Sequence, residues 1–220
     1  MLELEKCVTE LAKREELKLV IITGDADVFV AGGDIKDLAS ITDREAAESM
    51  SRQMNDVLLC LEQLDCITVA AINGNAIGGG CELALACDLR VMSETAHLHF
   101  KQVFMGVTPG WGGGQRLARL VGAGKAAYLY GLGVSLSANE ALQHGVVDFV
   151  ETDVKVRIEE LRQRSRIVPP QALRSTKHAI RQGALLEPAD AYSLERSLFA
   201  KSWISVEHET AVQKFLNRKK

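Results

Sequence analysis

The sequence has no basic tract and only a small excess of acidic residues. Its 26 lysines and arginines stand against 29 aspartates and glutamates, which gives a formal net charge of −3 over 220 residues. Proteins that bind nucleic acids usually carry clustered positive charge that contacts the phosphates. We therefore predict no nucleic-acid partner.

The sequence also lacks paired cysteines and long apolar runs. Five cysteines occur without a CxxC motif and mostly among apolar residues: Cys7, Cys60, Cys66, Cys81 and Cys87. This spacing predicts reduced thiols, with neither a disulfide framework nor a metal site. No apolar stretch approaches the roughly 20 residues that span a bilayer, and a charged helical pattern follows Met1. We expect a cytoplasmic protein without a membrane segment.

The order of apolar patterns predicts one α/β fold. Strands are predicted in "LKLVIIT", "CITVAAIN" and "DLRVMS", with a long amphipathic helix over about 43–64 and a short helix in "CELALAC". The segment "GDADVFVAGGD" is predicted as a loop and "HLHFKQVFMGV" as extended structure. Helical patterns fill most of the last third of the chain.

Glycine is abundant where a strand should give way to a helix. In "GNAIGGGCELALACDLR", Gly78, Gly79 and Gly80 directly precede Cys81 and Glu82. A phosphate loop is excluded because "GAGKA" lacks the earlier glycine and the hydroxyl after the lysine. A dinucleotide fingerprint started at Gly110 fails because Gln115 stands where a glycine is required.

Two interpretations of this glycine run stay open on the residues alone. The backbone amides at the helix start could form an anion site, with a second amide supplied by "FVAGGD". Glu82, three residues after Gly79, could then reach a substrate held there. The same pattern also fits a tight strand-to-helix turn with a capping glutamate.

Four motifs in a fixed order resemble one family. They are "FVAGGDIKDL", "AAINGNAIGGGCELALACDLR", "MGVTPGWGGGQRLARLVG" and "ALQHGVVDFV", and together they resemble the crotonase, or enoyl-CoA hydratase/isomerase, family. The resemblance implies a core of repeated β-β-α turns over 1–155 and a helical region over 156–220. It further implies a homotrimer or a dimer of trimers, an acyl-CoA thioester substrate, and no metal or redox cofactor.

The resemblance also implies site residues. The amides of Gly33 and Gly79 match the family's oxyanion hole, and Glu82 matches its first catalytic carboxylate. The coenzyme A segment of the family matches Ala31, Asp34, Ile35 and Lys36, with Lys36 toward the nucleotide. Gly78 belongs to the same substrate-binding turn, and Trp111 could cover the acyl pocket or serve packing alone.

Two features depart from the family pattern. Gln102 stands where hydratases carry a second glutamate, and an amide can hold a water molecule but cannot transfer a proton at neutral pH. The chain also begins at the helix that normally follows the family's first strand, so we expect that strand to be missing. For Arg90, Arg116 and Arg119 we expect solvated or subunit-contacting positions.

Three functions are compatible with these residues. The first is hydration or isomerisation of a 2-enoyl-CoA, with Glu82 as the proton-handling group and Gln102 as a positioning group. The second is decarboxylation of a malonyl-CoA type substrate, which forms the same enolate without a base. The third is a non-catalytic, oligomeric acyl-CoA-binding protein. The intact Glu82 favours the first.

Overall fold

The computed structural model describes residues 2–25 and 27–217. Its helices are α1 (Leu2–Ala12), α2 (Ile35–Leu38), α3 (Arg44–Glu62), α4 (Gly79–Ala86), α5 (Gly113–Val121), α6 (Ala123–Gly131), α7 (Ala138–His144), α8 (Val154–Ile167), α9 (Pro170–Gly183), α10 (Pro188–Trp203) and α11 (Val206–Asn217). Its strands are β1 (Leu19–Thr23), β2 (Val28–Val30), β3 (Ile67–Ile72), β4 (Asn75–Ile77), β5 (Leu89–Ser93), β6 (His97–His99), β7 (Ser135–Ser137) and β8 (Phe149–Glu151). A short 3-10 helix covers Gln102–Met105.

The strands form two sheets, and from β1 to β6 successive strands of the chain belong to one sheet and the other in turn. One sheet has the order β1-β3-β5-β8 and the other the order β2-β4-β6-β7. All neighbours are parallel except β6 and β7. The pairs β1/β2, β3/β4 and β5/β6 each place one strand in each sheet, and helices follow each pair. This is the β-β-α repetition that the resemblance implies.

The longest regular elements follow the predicted patterns closely. Helix α3 begins after Asp43, whose side chain accepts a hydrogen bond from the Ala46 amide at 2.8 Å, so a free amide of the first turn is satisfied. Its apolar face is buried through Met54, Val57, Leu58 and Leu61. Strand β3 is buried along almost its full length, as expected for the centre of a parallel sheet.

Two predictions of local structure are wrong. The expected loop "GDADVFVAGGD" contains β2, although Ala26 lies outside the described residues. The expected extended segment "HLHFKQVFMGV" is a strand only over β6. It then turns into the 3-10 helix at Gln102, which ends at Gly106 in a left-handed conformation. Three-residue strands and single helical turns are too short for a hydrophobic period to reveal them.

Helix α9 is attached to the core by a buried ion-pair network. Asp88 accepts from Lys177 Nζ at 2.8 Å and from Arg181 Nε at 2.7 Å. Lys177 also donates to the carbonyl of Cys66 at 2.7 Å, and Asp88 accepts from the Thr68 amide at 2.8 Å. The end of the parallel sheet is thereby joined to the helical last third of the chain.

The division into a core over 1–155 and a helical region over 156–220 stays a prediction. Helix α8 starts at Val154 and packs on strands of the first sheet, and Val154 itself is buried. Within residues 2–25 and 27–217, no helix combines the length and the apolar character that a bilayer crossing requires.

Asp88 predicts how stability depends on pH. Burial raises the pKa of its carboxyl, but Lys177 and Arg181 outweigh burial and hold the pKa below the ordinary value of 3.8. Asp88→Asn should therefore lower the free energy of unfolding by roughly 3 kcal/mol at pH 7, because Lys177 stays buried without its counterion. The deficit should begin to shrink as the pH falls below 3.8 and should disappear as the pH passes the lower pKa of the folded protein, where protonation removes the same charge from the wild type.

Urea unfolding from pH 7 downward measures this deficit. Asp65→Asn is the matched control, because Asp65 is exposed near the same strand end. A deficit that stays constant with pH, or one equal to that of the control, would contradict the assignment.

Candidate active site

Each glycine of the triple run has its own structural reason. Gly78 precedes α4 with a φ of +54°, a conformation that side chains with a Cβ rarely adopt. A Cβ on Gly79 would overlap the indole of Trp111, and a Cβ on Gly80 would overlap the carbonyl of Val30. The run therefore lets α4 start against both β2 and an aromatic ring.

A second glycine turn meets the start of α4. Gly32 has a φ of +89°, and a Cβ there would lie 2.9 Å from the Ile77 carbonyl and 3.1 Å from the Gly79 nitrogen. In the part of the chain that the structure describes, neither the Gly33 amide nor the Gly79 amide donates a hydrogen bond to a backbone carbonyl of a loop or a helix end. Two free amides on adjoining turns are what an oxyanion hole requires.

Glu82 lies in the first turn of α4 and is 2% exposed. Its Oε2 accepts hydrogen bonds from the amides of Trp111 at 2.8 Å and Gly113 at 2.7 Å. Its Oε1 accepts from Gln102 Nε2 at 3.1 Å. These donors come from other segments than α4, so the carboxylate holds the glycine turn at 111–113 in place and does not cap its own helix.

Gln102 reaches Glu82 because the 3-10 helix carries it there. A carboxylate accepts hydrogen bonds, so the amide must turn its Nε2 toward Glu82 and its Oε1 away. Oε1 is buried and has no hydrogen-bond partner among the described residues. Oε2 of Glu82 is occupied by two amides, which leaves Oε1 as the oxygen with capacity for a further proton or hydrogen bond.

Trp111 lies over the two amide-bearing turns. Its indole is in contact with Gly79, and Cζ2 would lie 3.7 Å from a Cβ on Gly33. The ring is half-buried and also packs on the hydrophobic core. The structure thus brings together Glu82, Gln102, Gly33, Gly79 and Trp111, while the covering of an acyl pocket by Trp111 stays a prediction.

The predicted coenzyme A segment lies at the surface next to Gly33. Ala31, Asp34, Ile35 and Lys36 are all exposed, and the Lys36 amide donates to Asp34 Oδ1 at 2.8 Å at the start of α2. Among the described residues, the hydrogen bonds of the Glu82 carboxylate come from Gln102, Trp111 and Gly113 and from none of these four. They form a rim beside the amides, and their contacts with a nucleotide stay predictions.

Two arginines differ from the sequence expectation. Arg116 is buried, with its Nε 2.7 Å from Glu62 Oε1 and its Nη1 bonded to the Trp111 carbonyl. Arg90 is also buried and pairs with Asp148 at 2.8 Å. The expectation of solvated or subunit-contacting positions is therefore wrong for both. Arg116 holds the carbonyl of the residue whose amide binds Glu82, so it fixes the turn from its other side.

Sequence reasoning missed Tyr130. The segment "GKAAYLYG" is typical of an amphipathic helix, and its pattern does not tell which tyrosine turns its hydroxyl inward. Tyr130 is 7% exposed, and its Oη would lie 2.5 Å from a Cβ on Gly113. Its hydroxyl is therefore close to the contact between Gly113 and Glu82.

The described residues contain no group of three or more His, Cys, Asp or Glu side chains arranged to hold a metal ion. That the protein works without a metal or redox cofactor stays a prediction.

Known proteins share both the sequence pattern and the fold. Residues 1–220 match the family model for enoyl-CoA hydratase/isomerase. The chain is 34% identical to the crotonyl-CoA hydratase of Syntrophomonas wolfei subsp. wolfei over 100% of this chain and 85% of that protein. It is 33% identical to the short-chain-enoyl-CoA hydratase of Clostridium acetobutylicum over 99% of this chain and 84% of that protein. The enoyl-CoA hydratase structure from Bacillus anthracis has a TM-score of 0.92 at 32% identity, covering 98% of this chain and 84% of that chain. The expected fold class is confirmed.

Gly113 and Gly114 offer a matched test of the turn that holds Glu82. A Cβ on Gly113 would overlap Glu82 Cγ and lie 2.5 Å from Tyr130 Oη, so Gly113→Ala should lower the free energy of unfolding by about 1–3 kcal/mol. A Cβ on Gly114 would lie 3.7 Å from Pro109 Cγ, an ordinary contact, so Gly114→Ala should be neutral or stabilising in its helix. Urea unfolding compares them, and equal effects would contradict the geometry.

Proposed function

Because the chain belongs to the enoyl-CoA hydratase/isomerase family, which confirms the resemblance, we propose that it hydrates a 2-enoyl-CoA thioester. The observation that carries this proposal is the Glu82 carboxylate. It is buried, it is held by three donors, and its Oε1 can accept a further proton. The adjoining turns carry the amides of Gly33 and Gly79, which have no loop or cap acceptor among the described residues. A proton acceptor next to an oxyanion hole suits addition to a double bond conjugated with a thioester.

The proposed reaction needs one carboxylate. The thioester oxygen would accept hydrogen bonds from the amides of Gly33 and Gly79. Oε1 of Glu82 would take a proton from water while the water oxygen bonds to C3, and the C2–C3 π electrons would form the enolate. The same oxygen would then return the proton to C2. One water is added, and no further reactant is consumed.

Gln102 fits this scheme as a positioning residue. Its neutral amide cannot exchange a proton at neutral pH, but its Nε2 orients the reacting oxygen of Glu82 at 3.1 Å. The second glutamate of two-carboxylate hydratases is therefore replaced by a group that orients Glu82.

Gln102 also supports a second candidate, decarboxylation of a malonyl-CoA type substrate. Loss of CO₂ forms the same enolate without a base, so a second glutamate is not needed. Against this candidate, the buried negative charge of Glu82 would repel a substrate carboxylate placed in the same site. A non-catalytic acyl-CoA-binding role would not require that Oε1 of the buried Glu82 carboxylate stay free to accept a proton.

The remaining parts of the substrate would bind along the two turns. We assign the acyl chain to the space next to Trp111, and the thioester to the turn that contains Gly78. Coenzyme A would pass along Ala31, Asp34 and Ile35, with the exposed ammonium of Lys36 near its phosphates. Coenzyme A is part of the substrate, and we propose no separate cofactor.

We further propose that the protein is a homotrimer, alone or as a dimer of trimers. Neither α10 nor α11 buries a residue in the single chain. Large apolar side chains on these helices are exposed, among them Phe199 at 61%, Trp203 at 58% and Phe215 at 59%. An exposed apolar surface of this kind is typical of an interface between subunits.

We propose a cytoplasmic location because the cysteines are not joined in disulfide bonds. The five cysteines are free thiols, and Cys66, Cys81 and Cys87 are buried. Unpaired thiols are typical of proteins kept in a reducing compartment.

Glu82→Gln tests the central assignment. The amide keeps the shape of the side chain but cannot accept the proton, so we expect the turnover of crotonyl-CoA to fall by roughly 10² to 10⁴. Loss of enoyl absorbance measures the rate. Glu94→Gln is the control, since Glu94 is exposed in a turn after β5. Equal turnover in Glu82→Gln and wild type would refute the proposal, and CO₂ release from a malonyl-CoA type substrate by the wild type would favour decarboxylation.

The assembly is tested by its mass in solution. Light scattering should give three or six times the 24.0 kDa of one chain. Phe199→Asp should shift the mass toward one chain, because the charge would be buried in the interface. Lys201→Asp, an exposed change on the same helix, should not. A wild-type mass of a single chain would show the proposal to be wrong.

A further inference from the structure

Buried polar atoms without partners are concentrated at Glu82. Among the described residues, the side chains contain three such atoms: Gln102 Oε1, Tyr130 Oη and Arg174 Nε. Two of the three belong to residues around the Glu82 carboxylate. A buried polar group without a hydrogen bond destabilises the fold, so folds rarely keep two in one place without a ligand that binds them.

The Tyr130 hydroxyl lies close to the carboxylate. The position of a Cβ on Gly113 would be 2.5 Å from Tyr130 Oη and 2.8 Å from Glu82 Oε2. The tyrosine ring is held in place by an edge-to-face contact with Phe100 at 4.8 Å between centroids. Burial, and then the charge of Glu82, raise the pKa of the Tyr130 hydroxyl, so it keeps its proton and can donate a hydrogen bond.

The hydrogen-bond donors and acceptors around Glu82 determine which kind of ligand can bind there. Glu82 Oε1 and Gln102 Oε1 are acceptors, and the Tyr130 hydroxyl supplies a donor. A water molecule or an alcohol can donate to the acceptors and accept from the tyrosine. A carboxylate could accept from Tyr130 alone and would face the charge of Glu82.

We propose that Tyr130 is a positioning residue whose hydroxyl, with Gln102 Oε1, binds the oxygen that the reaction adds to the thioester. Before the reaction this oxygen belongs to water, and afterwards it is the 3-hydroxyl of the product. The assignment rests on the proposed function, because it names the residues that bind the oxygen added in the proposed hydration. The tyrosine takes up no proton in the reaction; it orients the oxygen next to Glu82.

Tyr130→Phe tests this assignment by removing one oxygen atom. Calorimetry in the Glu82→Gln background, which largely prevents dehydration of the hydroxylated thioester, gives the dissociation constants of butyryl-CoA and 3-hydroxybutyryl-CoA, which differ by the hydroxyl in question. We expect the preference for the hydroxylated thioester to fall about three- to tenfold in the variant, the usual range for one hydrogen bond. With crotonyl-CoA, kcat should fall by a similar factor while KM stays within about twofold, because this substrate has no hydroxyl.

Tyr128→Phe is the matched control. Tyr128 lies on the same helix, but it is 48% exposed, and its ring is near His144. This variant should keep the wild-type preference and kcat.

The possible outcomes separate the two proposals. An unchanged preference in Tyr130→Phe, or equal weakening of both thioesters with a lower melting temperature, would overturn the role of Tyr130 and indicate packing alone. A wild type that binds both thioesters but never hydrates crotonyl-CoA would overturn the proposed function. If that wild type still prefers the hydroxylated thioester, and Tyr130→Phe loses the preference, the binding role of Tyr130 is supported.

Discussion

The site depends on the two backbone hydrogen bonds that Glu82 Oε2 accepts from Trp111 and Gly113. They bind a buried carboxylate to a turn contributed by a different part of the chain. Because Oε2 is occupied in this way, Oε1 is left for chemistry. The turn can approach so closely only because Gly113 has no Cβ, and Arg116 holds the Trp111 carbonyl from the opposite side.

The pairing of two strands places the glycine turns next to this carboxylate. Strand β4 leads into α4 and β2 leads into the Gly32–Gly33 turn, and the pairing of β2 with β4 brings the two turns side by side. Each turn ends a parallel strand, so their amides are at the same edge of the sheet. A helix start with free amides and a carboxylate one turn later then follow from the same run of glycines.

The sequence predicted the long elements and the two glycine turns, but not how the site is closed. Helix α3 and strand β3 have regular patterns, and the motifs around Gly79 and Glu82 resemble a family. The short strands and the turn that carries Gln102 have no period to detect. The partner of Arg116 is Glu62, 54 positions away in the chain, and no local pattern reveals such a pair. The inward direction of the Tyr130 hydroxyl likewise depends on the packing of α6 against its neighbours.

The central claim is that one carboxylate carries out both proton transfers, the one that forms the enolate and the one that consumes it. If Glu82 takes a proton from water and returns it to C2, the oxygen and the hydrogen are added on the face of the thioester that Glu82 occupies. The most direct measurement is the hydration of crotonyl-CoA in D₂O, followed by NMR assignment of the relative configuration at C2 and C3. The account predicts one diastereomer, with oxygen and deuterium on the same face. Addition to opposite faces, or a mixture of diastereomers, would contradict it.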